Sequence, residues 1–288
     1  MTKRVISVFL CVLCVISSIS IIVSAKENKE YTSDNFLSVA DGIIAWKKAD
    51  NGSEPDGYLI NDKYLENAGT TPGDWYPIAL GRLGIQDNNE GYLAVIKDRV
   101  EERYRESGRL SAAKATEWHR IALAVLAMGG DPTNFGTDEN GAPINLIADG
   151  TYDRGKTTPL GRQGINGWIW GLITLDSMRY AVPDGAYNTR DDIIVEIISK
   201  QLSDGGFALS SDDADPDITA MAITALAPYY NSEKIYSYHR KALSADESKT
   251  VHEVVDEAVL CLSRLQLDTG DYKSWGTQNV ESTDWVAV

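Results

Sequence analysis

Gln201-Leu-Ser-Asp-Gly-Gly-Phe207, followed by Asp215-Pro-Asp217-Ile-Thr-Ala-Met-Ala222, is the stretch whose reading decides the fold of this 288-residue chain. The first run is a Gly-rich loop. The second opens an apolar segment at helical spacing. Both recur. Gln266-Leu-Asp-Thr-Gly-Asp-Tyr-Lys-Ser-Trp275-Gly276 again sets a Gln four residues before a Gly, with an aromatic beyond it.

The apolar segments recur as well. Asp74, Glu117, Asn166 and Asp217 each open one, and Ala79, Ala122, Gly171 and Ala222 follow five positions later. A fifth segment starts near Glu281. The polar residue at each start suits a helix N-cap. The segments are apolar nearly all round, as buried inner helices are, and their Gly and Ala residues let backbones approach closely. Between them lie more polar amphipathic helices, expected over residues 90–105, 189–202 and 249–265. Alternating β-branched runs are scarce. The expected fold class is therefore all-α, built from repeated helix pairs.

These loops and segments resemble the repeat of the terpenoid cyclases and prenyltransferase β subunits, and the helical domain of the cobalamin carriers. The likeness is nearest to secreted bacterial proteins with prenyltransferase and squalene oxidase repeats. It covers roughly residues 70–288. It implies an α/α toroid with inner helices around a central cavity. Because the chain ends inside the fifth inner helix, the expectation is an open or truncated ring, or a fragment of a longer protein.

Residues 1–25 read as a signal peptide. Lys3 and Arg4 precede an apolar run, and Val23-Ser24-Ala25 fits a cleavage site. The same run could remain as an uncleaved anchor. Residues 26–69 are expected to hold a lead-in and the first helices, and residues 70–288 the repeat domain. The expected location is extracytoplasmic, secreted or at the cell surface. The net charge of −15 argues against nucleic acid or anionic lipid as partner, and leaves the membrane as partner only through an uncleaved signal. Outside the signal the chain keeps only Cys261, in an apolar stretch, so no internal disulfide and no Cys-based zinc site is expected.

Two acids are candidate catalytic residues. Asp217 stands where the resemblance places the proton donor of a terpenoid cyclase, a carboxyl held protonated by burial. Ile218, however, replaces the next Asp of that motif. The competing reading makes Asp217 an N-cap. Glu117, paired with Asp74 or Asp217, could serve as acid and base on a polysaccharide. Trp75, Tyr76, Trp118, His119, Trp168 and Trp170 are the candidate ligand-binding residues. Their flat faces at the inner-helix starts suit a corrinoid, a terpenoid or a glycan. Phe207 and Trp275 read instead as packing. His239 and His252 lie in polar stretches and read as solvated.

Ser111-Ala-Ala-Lys114 and Ser33-Asp-Asn35 match a penicillin-binding pattern in the wrong order, with no Lys-Thr-Gly after them. Asp213-x-Asp215-x-Asp217 begins like a calcium loop, but lacks its Gly and its closing Glu. A loose surface calcium site around Asp212, Asp213 and Asp215 is the form left open. No cofactor and no metal is expected. The leading functional reading is a non-enzymatic binding or cell-surface module with its ligand in an aromatic-lined cavity. A cyclase-like enzyme using Asp217, and a carbohydrate-active enzyme with paired carboxylates, stand as alternatives.

Overall fold

The computed structural model describes residues 33–154 and 159–288, with side chains from residue 36 onward. The signal expected over residues 1–25 lies outside the described residues. No described helix is long and apolar enough to cross a membrane. The chain is mostly helical, but two small antiparallel sheets accompany the helices, which corrects the all-α expectation. Residues 35–163 and 170–190 form one compact unit, and residues 164–169 and 191–288 form a second.

The first unit contains α1 (Ser33–Asn51), α2 (Asp62–Leu65), α3 (Thr71–Leu83), α4 (Asn89–Ser107), α5 (Thr116–Ala127) and α6 (Leu146–Gly150). Helices α3 and α5 were expected from the apolar repeat and α4 from its amphipathic stripe. Tyr92, Ile96, Val100 and Tyr104 form that stripe, four residues apart and all buried. Asn88 caps α4, and Gly108 ends it in the left-handed conformation. Helices α3 and α5 pack at backbone distance. A Cβ at Gly81 would stand 2.1 Å from the Ala127 carbonyl oxygen, so only glycine fits there. Pro77 sits inside α3 and cannot donate to the Gly73 carbonyl, four residues back. The Tyr64 hydroxyl donates to that carbonyl instead, at 3.1 Å.

Helix α7 (Ile165–Asp176) is divided between the two units after Ile169. The second unit continues with α8 (Arg190–Ile198), α9 (Pro216–Leu226), α10 (Val251–Leu265) and α11 (Val280–Ala287). Helix α9 packs against both α10 and α11. A hairpin of β1 (Ile235–Arg240) and β2 (Ala245–Thr250) precedes α10. Lys249 is therefore strand, and α10 starts only after Thr250 and Glu253 close a capping box. The hairpin carries an alternating pattern that the helical reading passed over. Tyr236, Tyr238 and Arg240 point inward, with Ile235, Ser237 and His239 exposed between them.

Candidate functional site

The Gln201 and Gln266 loops share several hydrogen bonds. Gln201 Nε2 donates to the Gly205 carbonyl at 2.8 Å, and Gln266 Nε2 to the Gly270 carbonyl at 2.9 Å. The Leu202 N–H donates to Gly206, and the Leu267 N–H to Asp271. Gly205 and Gly270 both adopt left-handed backbone, at φ 90° and 89°. Phe207 and Tyr272 both bury their rings, and their N–H groups donate to Thr219 Oγ1 and Thr283 Oγ1. The next helix is then capped by Asp215 in one case and Asn279 in the other.

Between these loops, at the start of α9, lies a groove of about 450 Å³. Residues 208–211 and 213–218 line one side, and Lys273, Ser274, Trp275 and Gly276 the other. Its walls are held by short bonds. The Asp204 carboxylate accepts from the Gly206 and Ala214 N–H groups, and Ser274 Oγ donates to Asp215 Oδ2 across the groove at 3.0 Å. Asp215 Oδ1 also accepts the Ile218 N–H, so Asp215 is the cap of α9. This corrects the expectation that Asp217 caps. Pro216 takes the first helical position and Asp217 the second; Asp217 lines the groove, with its Oδ1 buried and without a hydrogen-bond partner. Burial pushes the Asp217 carboxyl up, and the neighbouring carboxylates of Asp215 and Glu281 push the same way.

Trp275 stands at the groove rim, 91% exposed. It occupies the tight turn between β3 (Lys273–Ser274) and β4 (Thr277–Gln278), with φ +54° followed by Gly276 at +82°. That backbone is rare for a bulky side chain. The packing expectation therefore holds for Phe207 and not for Trp275. The signal was present in the sequence. Aligning Gln201 with Gln266 pairs Phe207 with Tyr272, which leaves Trp275 outside the packing position.

The other candidate residues lie elsewhere. Glu117 sits at the second position of α5, salt-bridged to Arg120 at 2.7 Å and to Arg103 at 3.5 Å. Burial raises its carboxyl, but the two guanidinium groups outweigh that and hold it below the usual range. Arg120 also reaches Asp74, which is fully buried and accepts from the Gly69 N–H and the Tyr92 hydroxyl as well. Asp74 is thus the hub of a buried polar network and not a cap.

Trp118 is 0% exposed, with its indole N–H donating to the Tyr104 hydroxyl at 2.8 Å and Arg154 stacked over its ring. His119 is also fully enclosed, with Nε2 2.7 Å from the Gly150 carbonyl. A carbonyl only accepts, so Nε2 carries the proton and Nδ1 is left without a partner. Neither ring meets a ligand without the packing opening. Trp75 is 41% exposed, and its ring lies 5.7 Å from that of Trp170. Tyr76 lines a second pocket, of about 360 Å³, with Lys47, Lys63 and Tyr64. Trp168 is half-buried under Lys200 Nζ, 5.8 Å from its centroid.

Compared with family models, curated proteins and solved structures, the chain matches none.

Cys261 is buried and unpaired in a disulfide. Among the described residues, no group of three or more His, Cys, Asp or Glu side chains is placed to hold a metal ion. His239 and His252 are exposed, as their polar surroundings suggested, each beside an aspartate.

Proposed function

We propose that the chain is an extracytoplasmic binding module, secreted or held at the cell surface, and that the groove at the start of α9 takes its ligand. The observation that carries this reading is Trp275. An aromatic ring 91% exposed, on backbone that favours glycine, stands over a preformed groove. The basic–apolar leader over residues 1–25 supports the location. The two like-bonded loops, each followed by a capped helix, support an α/α toroid of repeated helix pairs, similar to the prenyltransferase and squalene oxidase repeat proteins.

A cyclase-like reading keeps one observation in its favour, the raised carboxyl of Asp217. A carbocation, however, needs a dry apolar cavity. This groove is open and carries Ser210, Ser211, Asp213 and Lys273. A glycosidase pair built on Glu117 has less support, because its ion pairs hold Glu117 ionised and occupied.

Thermal-shift screening against cobalamins, polyprenols and oligosaccharides tests the reading. A ligand that prefers the folded state raises the melting point, by about 2.7 kcal/mol of stabilisation at a hundredfold excess over its dissociation constant. The expected result is a shift from one class, abolished by Trp275→Ala, with the ligand recovered unchanged. A shift that persists in Trp275→Ala, or turnover abolished by Asp217→Asn, would contradict it.

A further inference from the structure

We infer that the α9 groove is built for a neutral glycan. This rests on the binding reading above and names its ligand class. The groove offers one large flat apolar face, Trp275, which is the shape that the C–H face of a sugar ring stacks against. Around it the lining mixes apolar residues, Leu209, Pro216 and Ile218 among them, with residues that carry oxygen acceptors: Ser210, Ser211, Asp213 and Asp217. Sugar hydroxyls are donors, and a carboxylate acceptor makes the stronger bond with them.

Asp215 is not free for this purpose. Both of its oxygens are committed, one to the Ile218 N–H and one to Ser274 Oγ. It fixes the distance between the two walls instead, so the acceptors and the ring are set before a ligand arrives. A wholly apolar terpenoid would strip water from these carboxyls without replacing their hydrogen bonds, at a cost in affinity. Acidic glycans are disfavoured by the same carboxyls and by the net charge of −15, with Lys273 the one cation in the lining. A Trp at φ +54° fits this role, since glycine would make the turn without strain and only the ring would be lost.

Titration calorimetry decides it. The probes are soluble cello-, manno- and N-acetylchito-oligosaccharides, an oligogalacturonate, spermine and cyanocobalamin, each against the wild-type protein, Trp275→Ala and Trp275→Tyr. The expected result is binding of a neutral oligosaccharide with little dependence on salt. Affinity should fall by about thirtyfold in Trp275→Ala and by much less in Trp275→Tyr, with no binding of oligogalacturonate. Spermine or cyanocobalamin binding that needs Trp275, with no glycan binding, would overturn the glycan assignment and leave the groove as the ligand site. Glycan binding indifferent to Trp275→Ala would overturn the groove. No heat from any probe would overturn both readings.

Discussion

At Trp275 the chain gives up backbone comfort for an exposed ring. A bulky residue in the left-handed region costs of order 1–2 kcal/mol, and nothing the ring packs against repays it. Trp275→Gly should therefore stabilise the protein by about 1 kcal/mol, seen as a melting point raised by a few degrees. A variant that melts lower would show that the ring has a packing role. His119 makes the opposite case, a residue whose chemistry is silenced by burial. Burial holds its imidazole at about 3, well below the usual 6.5. Below pH 6.5 the unfolded chain takes up a proton that the native site refuses. Stability is thus full above pH 6.5 and falls as the pH drops toward 3, by about 1.4 kcal/mol per pH unit from this group. Denaturant titrations of wild type and His119→Gln across that window check it. The difference between their stabilities should shrink or reverse toward low pH, and parallel curves would contradict the buried neutral imidazole.

Elements divide into those whose sequence signal is local and those that depend on partners. The apolar runs starting near Asp74, Glu117, Asn166, Asp217 and Glu281 all became helices, within a few residues of the expected starts. Their period and length leave few alternatives. The β1–β2 hairpin was missed because Tyr236, Ser237, Tyr238 and His239 are too polar and too few to register as a strand, and Arg240 owes its burial to tertiary partners. It donates to the Gln201 carbonyl and pairs with Glu247 and Glu257. The roles of the helix-opening acids were illegible for the same reason. Asp74, Glu117 and Asp217 look alike in sequence, yet one is a buried hub, one an ion-pair member and one a groove carboxyl. Truncating Arg120 to Met would strand Asp74 as an uncompensated buried charge and should cost about 3–5 kcal/mol. Chemical denaturation measures it, and a loss under about 1 kcal/mol would mean that water reaches Asp74. Between helices, Gly81→Ala should cost at least about 1–3 kcal/mol, because α3 and α5 must separate to admit a methyl group 2.1 Å from a carbonyl oxygen.

For the whole molecule, two loops share one hydrogen-bonding scheme and differ in what they present to the groove. Gln201 and Gln266, Phe207 and Tyr272, Thr219 and Thr283 hold their loops by one scheme. What differs between the copies is what lines the groove: residues 208–211, 213 and 214 in one loop and the Trp275-Gly276 turn in the other. The central claim is that Trp275 meets a ligand. Nitrogen-labelled indole NMR reads it directly, since the chain has 7 Trp residues and the Trp275 signal is assigned by its loss in Trp275→Phe. On titration with a neutral oligosaccharide, the Trp275 indole resonance should shift to saturation while those of buried Trp118 and half-buried Trp168 stay in place. A Trp275 signal unmoved by every ligand class, or a shift confined to the other indoles, would contradict the account.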